Sequence, residues 1–572
     1  MKNSDVAQLL TDIADMLEMQ QEQKFKVLAY RNAARRIEGL SENVTDLVEE
    51  GRIGKIKGIG ESIAAKITEF VKTGRSSYRD DLSARLPAGI SELLQVAGIG
   101  AAKARLFYEE LHISTIDELE EAAKSHLLQT IPKIKAKTEE NVLLGIQRYR
   151  QSTGRMLLGA ALPSAEKIVD EMRPHESVGS IEMCGSVRRM KETIRDIDIL
   201  VASSKPKDVV EKFTSLSGVK STLAKGPTKA SVLTEQEVQI DLRVVSPDQW
   251  GAALQYFTGS KDHNIALRSL AESNGLKVNE YGVFRVEDKE KIAGKDENDV
   301  YGALGMPWIP PELREASGEI EAALAGRLPE LVRLCDLCGD LHAHTNWSDG
   351  QNTIEEMAEA AKTLGYEYLA IADHSVGLGF VHGLSLERIQ EQRQAIGELN
   401  EQYHGFRLLH GIEVNIRSDG TLDYPDEVLA EFDVVTASIH SSLSQTKERI
   451  TQRMLSAIEN PHVDIIGHPT GRLINKREPS EFDEDAVFRA AAETQTALEI
   501  NSQPDRLDLK DSHARRAAEM GVCFAINSDA HAPSQLELVR YGTATARRGW
   551  VGKGSVLNAL PLKELMTRLE RK

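Results

Sequence analysis

Cysteine is scarce: Cys184, Cys335, Cys338 and Cys523 are the whole complement of a 572-residue chain. That is too sparse for a disulfide framework in a chain this long, and it suits a reducing compartment. Cys335 and Cys338 have C-x-x-C spacing, but no second cysteine pair or neighbouring histidine pair completes a zinc site, so both read as half-buried thiols. Long apolar runs are missing too. No stretch reaches the roughly 18 consecutive apolar residues of a membrane helix, and the opening Met1-Lys2-Asn3-Ser4-Asp5 lacks a hydrophobic signal core. A soluble, cytoplasmic protein without a membrane partner is expected, monomeric by default.

A chain of this length outgrows one hydrophobic core, so several domains are expected. The net charge of −18 argues at first against a nucleic-acid partner. Its distribution reverses that argument. The acidity sits after residue 317, whereas the first 317 residues are nearly balanced and can present basic faces.

Val6, Leu9, Leu10, Ile13, Met16 and Leu17, then Phe25, Val27, Leu28 and Tyr30, recur with helical spacing. They lead to Ile56-Lys57-Gly58-Ile59-Gly60, which runs into a second helical segment from Ile63 to Ile67. The same arrangement returns at Val96-Ala97-Gly98-Ile99-Gly100, running into Ala101 to Arg105, and recurrence is a stronger signal than either copy alone. Gly58, Gly60, Gly98 and Gly100 leave backbone N–H groups bare at helix N-termini, where a phosphate can approach without meeting a Cβ. Such contacts position DNA without reading its sequence. A third copy, Thr130 to Lys135, lacks both glycines and reads as a structural repeat.

Residues 194–201, Ile-Arg-Asp-Ile-Asp-Ile-Leu-Val, alternate as a strand does, which points Asp196 and Asp198 to one face. Residues 238–244 alternate again and point Asp241 away from their apolar face. Three carboxylates of this kind suit a pair of Mg²⁺ ions and nucleotidyl transfer. Just upstream, Cys184-Gly185-Ser186-Val187-Arg188-Arg189 offers a small-residue turn able to cradle a triphosphate, with arginines to neutralise it.

Beyond a Glu- and Ala-rich, helix-like connector at about 312–333, metal-ligand residue types end one apolar run after another. They are His342, His344 and Asp349, then His374, Glu413, His440 and His468, and finally Asp529 and His531, with helical segments between. Repeated β-α units with reactive groups at strand ends predict a (β/α) barrel with its site on one face. The mixed His, Asp and Glu set suits Mn²⁺ or Zn²⁺ better than Mg²⁺.

Taken in order, these motifs resemble the bacterial family X DNA polymerases that carry a C-terminal polymerase and histidinol phosphatase (PHP) domain, over nearly the whole chain. Tyr256-Phe257-Thr258-Gly259-Ser260, followed by Asn264 and Arg268, resembles that family's sugar-contacting segment, and Tyr301 to Pro311 resembles the end of its polymerase core. The resemblance implies that Gly185, Ser186 and Arg189 contact the triphosphate. It further implies that Tyr256 and Phe257 exclude a 2′-hydroxyl, Gly259 belongs to the nucleotide-binding set, Asn264 touches the incoming base and Arg268 touches the template. It puts Lys66 at the Schiff-base lysine of a 5′-deoxyribose-phosphate lyase, with Ser62 where the pattern has a second lysine. Gln239 stands where the family often has arginine. The barrel residues match the PHP ligand set one for one, which implies up to three bound metals.

The fold expected is multidomain, α+β and α/β: helical helix-hairpin-helix domains, a nucleotidyltransferase palm on a mixed or antiparallel sheet, and a distorted TIM-like PHP barrel. The expected boundaries are 1–80 and 81–150 for the two helix-hairpin-helix parts, 151–245 for the palm and 246–317 for the nucleotide-selecting subdomain. A linker over 318–336 then leads to the PHP domain at 337–572. The implied function is gap-filling DNA polymerase in base-excision-type repair, acting on gapped or primed DNA with dNTPs. A Mn²⁺-dependent 3′→5′ exonuclease would accompany it, its range extending to abasic-site cleavage or 3′-end trimming. Two other readings stand beside it, a non-catalytic repair scaffold and a small-molecule phosphatase with DNA-binding appendages.

Overall fold

The structure, a computed structural model, describes residues 3–20, 22–38, 44–56, 58–86, 90–94, 96, 99–131, 134–152, 155–236, 238–377 and 381–570. Gly98, one of the four hairpin glycines, lies outside these residues, as do Lys57, Ala97, Pro132 and Lys133. Contacts divide the chain into two compact units, one made of residues 1–153 with 344–353 and 473–478, the other of the remainder. Among the described residues no helix is long and apolar enough to cross a membrane.

The N-terminal residues are helical. In α1 (Asn3–Met19) the stripe Val6, Leu10, Ile13 and Leu17 is fully buried, and it packs with Val27, Tyr30 and Ile37 of α2 (Lys24–Glu38). The first glycine hairpin leads into α3 (Glu61–Thr73) and the second into α4 (Ala101–Leu111). The two hairpins make the same bonds: Ile59 N–H donates to Ile56 O and Ile99 N–H to Val96 O, both at 3.0 Å. Gly60 and Gly100 hold the N-cap positions without a side-chain cap, which leaves first-turn N–H groups of both helices available. Gly58 has φ +97°, a left-handed conformation that selects glycine.

The second unit opens with a five-stranded mixed sheet in the order β1-β2-β5-β4-β3. Its strands are β1 (Ser180–Cys184), β2 (Ile197–Ala202), β3 (Val219–Lys225), β4 (Lys229–Thr234) and β5 (Gln239–Val245). Only the central β2–β5 pair is parallel. The strand expected over 194–201 is interrupted: a bend at Arg195 and Asp196 separates Thr193–Ile194 from β2, so Asp196 sits just before the strand and Asp198 within it. After the sheet come α5 (Trp250–Thr258), α6 (Lys261–Ser273) and a small antiparallel sheet of residues 276–279, 282–285 and 291–293. Val278, Val283, Val300, Tyr301, Leu304 and Ile309 form the core of this part. The helix-like connector is shorter than expected. Only Glu319–Leu324 is helical, because Gly326 and then Pro329 stop it.

The C-terminal part is a seven-stranded, all-parallel sheet whose strands follow in chain order. They are β6 (Gly339–Ala343), β7 (Tyr368–Ile371), β8 (Arg407–Asn415), β9 (Val434–Ser438), β10 (Ile465–Gly467), β11 (Ala497–Asn501) and β12 (Phe524–Asn527). All are buried almost throughout, and covering both faces is what makes them read as apolar runs rather than alternating ones. A parallel bridge between Ala343 and Ala530 brings the last strand's end to the first, so the sheet is a nearly closed, TIM-like barrel. The last long helix is α7 (Val539–Arg548).

Candidate active sites

In the palm, Asp198 and Asp241 are register partners on the neighbouring parallel strands β2 and β5. Gly185 begins the turn above them with φ +62°, and a Cβ there would stand 2.4 Å from Asp198 Oδ2; only glycine lets the turn close over the carboxylate. Burial raises the Asp198 carboxyl to about 7, and the negative charges of Asp196 and Asp241 push in the same direction. A buried carboxylate whose ionisation two neighbouring acids oppose is a fit for divalent cations, which would relieve the repulsion. Their oxygens do not form a group closing to within 4.8 Å, as those of the barrel do. Asp241 is drawn aside by the Ser231 hydroxyl and by Gln239 Nε2 at 3.1 Å.

A cavity of about 290 Å³ is lined by Asp198, Ser231, Asp241, Arg243 and Phe257. A second, of about 540 Å³, is lined by Arg243, Tyr256, Phe257 and Tyr281. The Tyr256 and Phe257 rings meet edge to face at 5.2 Å, and the Arg243 guanidinium lies 5.2 Å from the Phe257 ring centre. Ser186 and Arg268 are half-buried. Asn264 does not offer a free amide: it accepts from Gln255 Nε2 and donates to Tyr256 O, both at 2.8 Å. Arg189 donates to Thr258 O, beside Gly259, and pairs with Glu315 at 3.1 Å.

A buried network not evident from the motifs holds these parts in register. Glu297 accepts from both Nη atoms of Arg188, from Arg314 and from the Trp308 indole, all within 2.6–3.0 Å. Burial alone would raise its carboxyl, yet Arg314 and Arg188 hold it at about 2. Three charged groups scattered over more than a hundred residues carry no local spacing signal.

In the helical unit, Lys66 Nζ donates to Ser62 Oγ at 2.8 Å and stands 4.5 Å from the Tyr78 ring centre, with Lys26 on the same ring. Burial lowers the ammonium pKa, and the charge of Lys26 lowers it further. Ser62, standing where the resemblance expects a second lysine, is thus a hydrogen-bond acceptor for Lys66.

The barrel brings every predicted ligand to the C-terminal ends of its strands. Three overlapping groups each offer one ligand atom per residue within 4.8 Å: His342, His344 and Asp529; His344, Asp349, His374 and His531; His374, Glu413 and His440. Glu413 lies at the centre, with His374 Nδ1 at 2.8 Å, His468 Nε2 at 3.1 Å, His440 Nε2 at 3.2 Å and His342 Nε2 at 3.6 Å. Burial works to raise its carboxyl, but His440, His374 and His342 hold it well below the usual range. Imidazoles converging on one buried carboxylate, in groups that share His344 and His374, fit more than one metal ion.

Behind these ligands stands Glu499, fully buried, which the sequence motifs pass over. Its Oε1 pairs with His342 Nδ1 at 2.7 Å and its Oε2 accepts the His468 N–H at 2.6 Å, while Asn527 and Asn501 donate to it at 2.9 and 3.2 Å. Such a carboxylate sets the tautomer and orientation of a ligating imidazole. Its only sequence signal is a charge in the middle of the apolar run Ala497 to Asn501, where it terminates nothing. Asp340 is a similar case. It accepts the N–H groups of His342 and Ser528, and burial raises its carboxyl to about 6.

Comparison with known proteins adds sequence relatives to this geometry. Residues 1–76 match the family model described as a helix-hairpin-helix domain, and residues 90–148 match the SAM-like helix-hairpin-helix tandem. Residues 253–315 match the DNA polymerase beta thumb and residues 340–503 the PHP domain. The chain is 39% identical to the "DNA polymerase/3′-5′ exonuclease PolX" of Bacillus subtilis over 573 residues, all of both proteins. A probable phosphatase of Thermoanaerobacter sp. is 31% identical over 247 residues, which span 41% of this chain and 96% of that protein. A probable phosphatase of Caldanaerobacter subterraneus is 33% identical over 204 residues, 34% of this chain and 75% of that protein.

Proposed function

The chain belongs to the bacterial family X DNA polymerases that carry a PHP domain, a DNA-directed DNA polymerase joined to a 3′→5′ exonuclease, and from that premise we propose that it fills short gaps in DNA under repair. The observation that carries the polymerase half is Asp198 beside Asp241 under the Gly185 turn. Asp196, Asp198 and Asp241 would hold two Mg²⁺ ions, which when bound supply activation of the primer 3′-hydroxyl and charge neutralisation at the leaving pyrophosphate. Gly185, Ser186 and Arg189 cradle the dNTP triphosphate, and the Tyr256 and Phe257 rings with Gly259 crowd the sugar's 2′ position. Arg268 meets the template. Asn264 reaches the base edge only by giving up its bonds to Gln255 and Tyr256 O.

In the barrel, His342, His344, Asp349, His374, Glu413, His440, His468, Asp529 and His531 would hold up to three Mn²⁺ or Zn²⁺ ions, which supply Lewis-acid polarisation of the phosphoester and activation of water. Glu499 fixes His342 for that task. The same site would accept a 3′-terminal lesion or an abasic nucleotide, so 3′-end trimming belongs to the proposal.

Bare N–H groups at Gly58, Gly60 and Gly100 would grip phosphates on either side of a gap, with little preference for sequence. One charge-assisted contact of this kind is worth about 1.5–3 kcal/mol. A single-nucleotide gap with a 5′-phosphate should therefore be filled with kcat/KM roughly tenfold or more above that on an open primer–template. Equal values on the two substrates would exclude the gap-filling role.

Lys66 we assign as the nucleophile of a 5′-deoxyribose-phosphate lyase, since its lowered pKa leaves more free amine to attack a sugar aldehyde. Borohydride should trap a covalent adduct with DNA bearing a 5′-deoxyribose phosphate, and Lys66→Ala should lose it. An adduct of undiminished yield in the variant would make Lys66 a phosphate contact only.

A further inference from the structure

Arg189 does not stand alone at the nucleotide site. Its Nη1 donates to Thr258 O at the end of α5, and its Nε pairs with Glu315 Oε1 at 3.1 Å. That same carboxylate oxygen accepts Nη1 of Arg548 at 3.0 Å, and Arg548 is the last residue of α7 in the barrel. Arg548 Nη1 also donates to the main-chain oxygen of Arg189 at 2.7 Å. Its other edge is fixed by Asp511, which accepts from Nε at 2.9 Å and Nη2 at 2.7 Å. Lys191 Nζ stands 3.8 Å from Glu315. The Arg548 and Arg189 side chains are only 5% and 12% exposed, so these links act in a medium where charge is weakly screened.

We propose that Arg548, a side chain of the nuclease barrel, is a positioning residue for the polymerase site, setting through Glu315 how Arg189 is presented to the triphosphate of an incoming dNTP. The inference rests on the reading of Arg189 as a triphosphate contact. Two guanidinium groups sharing one carboxylate leave Arg189 incompletely neutralised and attractive to phosphate. Without Arg548, Glu315 is left to Arg189 at 3.1 Å and the more distant Lys191 at 3.8 Å, and the Arg189 carbonyl loses its donor. The triphosphate then competes with a better-paired carboxylate, and dNTP binding weakens.

The interface itself has other fasteners. Arg472 pairs with Glu192 at 2.8 Å, Arg540 with Glu166 at 2.9 Å and Arg547 with Glu312 at 2.7 Å. None of these touches Arg189, so they keep palm and barrel together when Arg548 is changed.

The test measures kcat and KM for dNTP on single-nucleotide-gapped DNA with the full-length chain, alongside exonuclease rate and melting temperature of the same preparations. Arg548→Ala is expected to raise KM about fivefold or more, the lower end of ordinary coupling between sites, with kcat and exonuclease rate unchanged. Arg548→Lys keeps the charge without the fork and should recover only part of the loss. Arg540→Ala, at the same interface, should leave KM unmoved. Glu315→Gln should shift KM the other way, downward, because it frees Arg189; if Arg548→Ala fails to fold, Arg548→Lys carries the test, and a KM equal to the parent's in that variant overturns the coupling. An unchanged KM in Arg548→Ala beside a raised one in Arg189→Ala overturns the coupling. A raised KM in Arg540→Ala would trace the effect to a loosened interface and overturn it as well. An unchanged KM in Arg189→Ala would remove the triphosphate reading, and this inference with it.

Discussion

The Asp196→Ala/Asp198→Ala variant is expected to lose primer extension while degrading 3′ ends at the parent rate. Both carboxylates belong to the palm, and neither is a member of the barrel's ligand groups. Charge stabilisation by metal at a phosphoryl transfer site is worth several kcal/mol, and each 1.36 kcal/mol is a factor of ten in rate. Extension should therefore fall by roughly a thousandfold. The variant should also melt no lower than the parent in chelator. Burial and the charges of Asp196 and Asp241 raise Asp198 to about 7, so the acidic cluster opposes folding when no cation is bound. Loss of extension together with a collapse of the melting temperature would instead mean that Asp196 and Asp198 hold the palm together.

The opposite separation is expected of His342→Ala/His344→Ala. His344 belongs to two of the three ligand groups and His342 to one, so the variant should lose nuclease activity and bound Mn²⁺ or Zn²⁺, read by elemental analysis after dialysis, and keep extension. One complication follows from Glu499. It is buried against His342 at 2.7 Å, and leaving a buried carboxylate without its hydrogen-bond donor costs about 1–3 kcal/mol or more. The double variant should therefore melt lower in its barrel transition. His344→Ala alone keeps that pair and should lose nuclease activity and metal without the stability loss. Nuclease activity that survives in either variant would place the hydrolytic site elsewhere.

Several features were legible from local pattern because their chemistry is local. Asp198 and Asp241 show as carboxylates on alternating strands, and most barrel ligands show as polar residues at or near the end of an apolar run, because a parallel strand buried on both faces is apolar over most of its length. Other features depend on residues far apart in the chain. Glu499 meets His342, 157 positions away, only when the barrel closes, and Arg548 meets Arg189 from 359 positions away. A charge inside an apolar strand or at the end of a helix gives no notice of either partner. Asp196 is a milder case: alternation alone would place it in the strand, whereas the bend at Arg195 and Asp196 sets it just before β2. The role of Asn264 rests on the resemblance, and in this structure its amide is bonded to Gln255 and to Tyr256 O.

That one chain carries two independent phosphoryl-transfer sites is tested most directly on a single end-labelled primer annealed in a gap. The parent protein and the two paired variants, Asp196→Ala/Asp198→Ala and His342→Ala/His344→Ala, would be compared with and without dNTPs in Mg²⁺ or Mn²⁺. The parent should lengthen the primer when dNTPs are present and shorten it when they are absent, with each variant losing one product and keeping the other. Both products lost in either variant, or neither formed by the parent, would contradict it.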